Sequence, residues 1–190
     1  MEAFFASFST VAIAEMGDRT QLLLLMLAAR HRRPWPILAG MLCGTIVSAA
    51  LAAFIGERLG HALSGRVVNL LVGISLVAMA IWELKPERVR DGAGGPARGG
   101  LFWVTLVTFT VAEIGDKTQI ATAVLAAAYG NFLAVVAGST LGMVLACAPV
   151  VLIGKVLAAR LPLRAIRIVA SLLFLGLGIL FLVRAAHGAR

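Results

Sequence analysis

Apolar residues fall in six long runs, at Ala3–Ala29, Trp35–Ile55, Val67–Leu84, Leu101–Ala128, Phe132–Ile153 and Leu163–Val183. Each approaches or exceeds the roughly 20 residues that a helix needs to cross the hydrocarbon of a bilayer. Short polar, glycine- or proline-bearing breaks separate them, at Arg30–Pro34, Glu57–Arg66, Lys85–Gly100, Tyr129–Asn131 and Lys155–Pro162. The pattern predicts an all-α integral membrane protein of six transmembrane helices. The longest break, Lys85–Gly100, holds five glycines and two prolines and reads as a flexible linker. Pro149 reads as a helix kink and Pro162 as a loop boundary.

The six runs are two copies of three. A shift of 98 residues lays Ala14-Glu15-Met16-Gly17-Asp18-Arg19-Thr20-Gln21 on Ala112-Glu113-Ile114-Gly115-Asp116-Lys117-Thr118-Gln119. Without a gap it also pairs Thr10 with Thr108, Gly40 with Gly138, Gly44 with Gly142 and Arg66 with Arg164. Chance agreement in so apolar a chain would match alanine and leucine, not Glu, Asp, Thr and Gln within one octapeptide. The expected organisation is a three-helix repeat over 1–84, a linker over 85–100 and a second repeat over 101–190. Because three is odd, the second copy must enter from the opposite side of the membrane. The repeats are then inverted (3+3) about an axis in the membrane plane, as in many secondary transporters.

Composition agrees. Of 190 residues 61% are hydrophobic and 14% charged, against about 45–50% and 25% in soluble domains. The formal charge of +8 could signal nucleic acid, but its placement argues for topology. Arg30, Arg32, Arg33, Lys85, Arg88, Arg90, Arg98, Lys155, Arg160, Arg164 and Arg167 fall on one side of the expected membrane, and only Arg58, Arg66, Arg184 and Arg190 on the other. The positive-inside rule puts the linker in the cytoplasm and both termini outside. Trp35, Trp82 and Trp103 sit at run ends on the cytoplasmic side, an aromatic belt. The chain begins Met1-Glu2 without an early base, so its first run is expected to stay as a helix rather than be cleaved as a signal peptide. Cys43 and Cys147 lie inside apolar runs, are not related by the repeat, and read as inert core residues.

The chemistry concentrates in the octapeptides. Glu15 lies mid-run, where each charged residue costs about 2.5–3.5 kcal/mol to insert. Such groups must face one another or a wet cavity. On a continuous helix Glu15 and Asp18 lie about 60° apart with Gln21 another 60° round, and Ser7 and Thr10 extend the same stripe. Thr105 and Thr108 do so in the second copy. Opposed across the repeat axis, Glu15, Asp18, Gln21, Glu113, Asp116 and Gln119 would form a cage of about six oxygen ligands, suited to Mn²⁺, Ca²⁺ or Mg²⁺. His31, His61 and His187 all lie outside the runs, which disfavours Zn²⁺ and Cu. Arg19 and Lys117 read as charge partners. Thr20 and Thr118, about 140° from the glutamates on the same wheel, read as supporting or packing groups. The two motifs sum to −2, matching a divalent cation. Once the metal leaves, clustered carboxylates in low dielectric are expected to take up protons. Gly17 and Gly115 each weaken a helix by about 1 kcal/mol and permit either a break or a close approach. Gly40, Gly44 and Ser48, matched by Gly138, Gly142 and Ala146, form a small-residue packing ridge, with Ser48 a candidate for the path lining.

The doubled Glu-x-Gly-Asp-(Arg/Lys)-Thr at Glu15–Thr20 and Glu113–Thr118 resembles the GDT family of cation/proton exchangers, over essentially the whole chain. That resemblance implies six spans, inverted three-helix copies and a central cytoplasmic loop. It implies Glu15, Asp18, Glu113 and Asp116 as transport-site acids, with Gln21 and Gln119 nearby. The implied activity is export of Mn²⁺, or of Ca²⁺, in exchange for H⁺ by alternating access in a bacterial inner membrane. The implied partners are the divalent ion, protons and the lipid bilayer, with no permanent cofactor, no nucleic acid and no indicated homo-oligomer. Two other readings compete. An amino-acid exporter of similar size would need a cavity for an ammonium and a carboxylate, which clustered acids suit poorly. A membrane enzyme using bound metal on lipid phosphate would need one asymmetric site, whereas the acids here are duplicated.

Overall fold

The computed structural model describes residues 1–16, 18–84, 100–153 and 163–187, without the side chains of Arg19, Leu163, Arg164 and Ile166. Gly17, the linker residues 85–99, the Lys155–Pro162 break and Arg190 lie outside the described residues, as does any contact of the Arg19 side chain. Eight helices are described: α1 (Glu2–Glu15), α2 (Arg19–His31), α3 (Pro34–Ala62), α4 (Gly65–Glu83), α5 (Leu101–Glu113), α6 (Lys117–Tyr129), α7 (Phe132–Ile153) and α8 (Leu163–Ala186). No strand occurs among the described residues. The starts of α2, α3 and α4 at 19, 34 and 65 recur 98 residues on, at 117, 132 and 163.

Among the described residues the first and fourth apolar runs are each divided into two helices, because each is interrupted at the motif. Glu15 ends α1 and Glu113 ends α5. Met16 and Ile114 then turn extended, with ψ of 114° and 118°. Gly115 has φ +73°, a left-handed conformation open to glycine at little cost. Asp18 and Asp116 restart the chain as extended N-caps, their carboxylates accepting from the backbone N–H of Thr20 and Thr118. The motif is therefore a stop-and-restart signal. Aspartate competes with helix continuation and satisfies the exposed N–H groups of the next helix.

Among the described residues four helices are long and apolar enough to cross a membrane, α3, α4, α7 and most of α8, with mean hydropathy between 1.8 and 2.4. Those of 13 or 14 residues, α1, α2, α5 and α6, reach only about 20 Å each at 1.5 Å per residue. Their packing is reciprocal: α1 lies on α7, α3 on α5 and α6, and α4 on α8. The glycine ridge explains the first two contacts. A Cβ on Gly40 would come 2.6 Å from the Phe102 carbonyl oxygen, and one on Gly142 the same 2.6 Å from that of Phe8. α4 and α8 cross at Gly73 and Gly178, where a Cβ on Gly178 would lie 3.1 Å from the Gly73 carbonyl oxygen. Pro149 lies inside α7, near its described end. Outward faces carry large exposed apolar side chains, among them Leu51, Phe54, Leu71, Ile74, Leu145 and Leu172, a surface suited to lipid rather than water. Trp35, Trp82 and Trp103 are exposed as well.

Two outcomes follow for stability, both read as thermal-unfolding midpoints in detergent. Gly142→Val, forced against a neighbouring backbone, is expected to destabilise by about 1–3 kcal/mol, while Gly176→Ala, with no atom within 4 Å of the added carbon, is neutral or stabilising. Asp116→Asn keeps a capping side chain, so Asp116→Ala should be less stable than Asp116→Asn by about 1 kcal/mol.

Candidate metal site

The interruptions bring the two motifs together in the protein interior. Glu15, Asp18 and Asp116 each offer a carboxylate oxygen, and these atoms lie within 4.8 Å of one another. All three residues are at most 1% exposed. The cluster draws on both halves of the chain, joining two acids of the first motif to one of the second. Oε2 of Glu15 has no hydrogen-bond partner among the described residues, leaving an acceptor oxygen in apolar surroundings where an unsatisfied polar atom is costly.

Threonine hydroxyls tie each acid pair. Thr20 Oγ1 donates to Glu15 Oε1 and lies 3.2 Å from Asp18 Oδ2. In the second motif Thr118 Oγ1 is 3.5 Å from Glu113 Oε2 and 3.3 Å from Asp116 Oδ2. A wheel that turns these threonines 140° away presumes an unbroken helix. With the helix stopped at the glutamate and restarted at the aspartate, the threonine becomes the second residue of the new helix and points back over the break. The same interruption cancels the 60° spacing of Glu15, Asp18 and Gln21; the acids meet across a gap in the helix instead of along one face.

The six-ligand cage is not gathered in full in this conformation. Glu113 is buried but stands outside the three-acid cluster. It lines a cavity of about 10 Å³ with Thr45, Ser48, Thr118, Gln119, Thr122 and Ser139 among others, about the room of one water molecule. Gln21 donates through Nε2 to the Ala146 carbonyl oxygen at 2.8 Å. The Gln119 amide oxygen accepts from Gly115 N at 2.8 Å, and its Nε2 donates to Ser48 Oγ at 3.2 Å. Gln119 thus steadies the break in this conformation. Ser7, Thr10 and Thr105 are buried and Thr108 partly so. Thr105 and Thr108 return their hydroxyls to carbonyls of their own helix, at 2.8 Å to Leu101 and 2.6 Å to Val104. The hydroxyls of Ser7, Thr10 and Thr45 have no partner among the described residues. Cys147 is buried and Cys43 exposed, both as free thiols.

Lys117 pairs with an acid of the other motif: its Nζ lies 2.8 Å from Asp18 Oδ1. It also lies 3.0 Å from Glu83 Oε2. Glu83, the last residue of α4 and 2% exposed, is not among the residues the sequence singles out. It stands beside Leu84 and Lys85, where an acid reads as the polar edge of a span, and the position 98 residues on is Phe181. The available signal is an acid still inside the apolar run with no acid at the matching position of the second copy.

Four of the hydroxyl-bearing residues beside Glu113 have no hydroxyl at their repeat counterparts. Thr45, Ser48, Thr122 and Ser139 surround the cavity beside Glu113. Their repeat counterparts are Met143, Ala146, Leu24 and Met41, all within one buried apolar cluster that also holds Cys147.

Comparison with known proteins places this geometry in a family. The family model described as "Divalent cation/proton antiporter GDT1" matches residues 3–91 and again residues 101–189. A protein of Vibrio cholerae serotype O1 described as "Putative manganese exporter" is 46% identical over 92% of this chain and 88% of its own length. A GDT1-like protein of Synechocystis is 28% identical over 92% of this chain and 93% of its own. GDT1-like protein 3 of Arabidopsis thaliana is 28% identical over 94% and 69%. No solved structure matches. With one family model matching both halves and the motif acids meeting between them, the chain belongs to the GDT1 family of divalent cation/proton antiporters, transporters rather than enzymes.

Proposed function

We propose that this antiporter exports Mn²⁺, with Ca²⁺ the alternative cargo, in exchange for H⁺ by alternating access. Glu15, Asp18 and Asp116 hold the ion. The observation that carries this reading is their convergence, one oxygen from each within 4.8 Å. Ions with metal–oxygen bonds of about 2.0–2.6 Å set opposite ligands about 4–5 Å apart, so one cation can bridge the three. Manganese is favoured over calcium by the relative from Vibrio cholerae, whose description names that metal. Glu113, Gln21 and Gln119 complete the ligand set as the helix ends adjust, and Arg19 offsets part of the charge.

On this reading the chain has six spans. α1 with α2, and α5 with α6, each make one interrupted span, and α3, α4, α7 and α8 make the rest. Residues 1–84 and 101–190 are inverted repeats joined by the 85–100 linker. The bias of Lys and Arg puts that linker in the cytoplasm and both termini outside, in a bacterial inner membrane. Half-helices starting mid-membrane with a capped N-terminus and ending in free carbonyls are a known way to hold an ion there. When the metal leaves, Lys117 meets Asp18, and the other buried carboxylates bind protons, which couples the two fluxes.

Reconstituted in proteoliposomes, the chain should move protons inward against an outward Mn²⁺ gradient, read by an internal pH dye. Glu15→Gln and Asp116→Asn should abolish that signal while inserting into membranes as the wild type does. Full exchange in both variants would overturn the assignment.

A further inference from the structure

Glu83 belongs to neither motif, yet it is bound to one. The Lys117 ammonium spans two carboxylates, 2.8 Å from Asp18 Oδ1 and 3.0 Å from Glu83 Oε2. Side-chain exposure is 6% for the lysine, 0% for Asp18 and 1% for Glu83. One of these carboxylates is in the three-acid cluster and the other is not. An ammonium at Asp18 occupies the place of a cation. For a divalent ion to take that oxygen, the ammonium must give it up, and a lysine left unpaired in such surroundings carries a heavy desolvation cost.

We propose that Glu83 is a positioning residue of the transport cycle, which receives the Lys117 ammonium as the divalent cation takes Asp18 and so sets how strongly lysine competes with metal. The inference rests on the reading that Asp18 helps to hold the ion. Lysine is suited to such a transfer. Its charge is a point at the end of a flexible four-carbon stem and can pass between neighbouring carboxylates, where a guanidinium would lock into a fixed fork. The chain is asymmetric in the corresponding way. The first motif carries Arg19 where the second carries Lys117, and the counterpart of Glu83 is Phe181, buried in an apolar cluster with Val72 and Leu76. The lysine and its second carboxylate therefore occur together, once, and on one side of the site.

The test is the Mn²⁺ dependence of initial proton flux in proteoliposomes. Glu83→Gln leaves the ammonium to the acid cluster and should raise the KM for Mn²⁺ by about tenfold or more, in the direction that loss of one partner of a buried ion pair gives, with the maximal rate changed far less. Glu83→Gln/Lys117→Gln should have the KM of Lys117→Gln alone, because without the ammonium Glu83 has nothing to receive. A group that merely supports the fold, or that ligates the metal itself, would keep its effect in the Lys117→Gln background, and that result overturns the inference. So does an unchanged KM in Glu83→Gln. Should Glu83→Gln fail to insert, Glu83→Asp carries the same test, with a smaller rise that Lys117→Gln abolishes. A wild-type chain that shows no Mn²⁺-driven proton movement defeats the exchange reading and this inference with it. Exchange by the wild type without the Glu83 effect defeats this inference alone.

Discussion

Carboxylates placed in the middle of an apolar span have to be met there by hydrogen-bond donors or opposite charge, since hydrocarbon offers neither and several kcal/mol per group are at stake. In this chain the donors are threonine hydroxyls, the Lys117 ammonium and backbone N–H groups. Stopping a helix at Glu15 and restarting it at Asp18 exposes N–H groups at the point where the acids lie, and the aspartate caps them. The second motif repeats the device at Glu113 and Asp116. Much of the architecture follows from these breaks. The half-helices are short, so α1 and α5 must be held by close packing on α7 and α3, which the glycines at 142 and 40 permit. That packing brings the two breaks into one cluster.

The frame of this arrangement is legible in the sequence, for reasons that lie in each element. Runs of apolar residues and the 98-residue shift locate the helices because both are linear properties of the chain; the starts at 19, 34 and 65 and at 117, 132 and 163 obey the shift. Gly40, Gly44, Gly138 and Gly142 are readable as a ridge because a small side chain every fourth residue has one principal use in an apolar helix. The details of the site are hidden by the break. A helical wheel presumes an unbroken helix, so it turns Thr20 away from Glu15, and the hydroxyl in fact donates to that carboxylate. The Gly-Asp pair in each motif marks such a stop, but glycine also serves close packing, and the two uses look alike in sequence. Glu83 is hidden differently, since its partnership with Lys117 joins α4 to α6 across the fold and no spacing along the chain encodes it.

Departures from the repeat carry the remaining information. If two inverted copies were identical, exchanging their conformations would produce an equivalent structure facing the other way, and the two states would have equal free energy. Every residue that differs between copies, at a position where the two conformations differ, tilts that balance. Four of the differences fall at the site: Thr45, Ser48, Thr122 and Ser139 have Met143, Ala146, Leu24 and Met41 as their counterparts, and Met143 lines the cavity beside Glu113 together with the hydroxyls. Hydroxyls tolerate a small wet cavity such as the one beside Glu113, while methyls and thioethers gain most when packed dry. A bias of only about 1.4 kcal/mol makes one state ten times as populated as the other, and four such positions can supply that. On the alternating-access reading proposed above, metal binding and proton binding act on an equilibrium that such departures from the repeat already tilt.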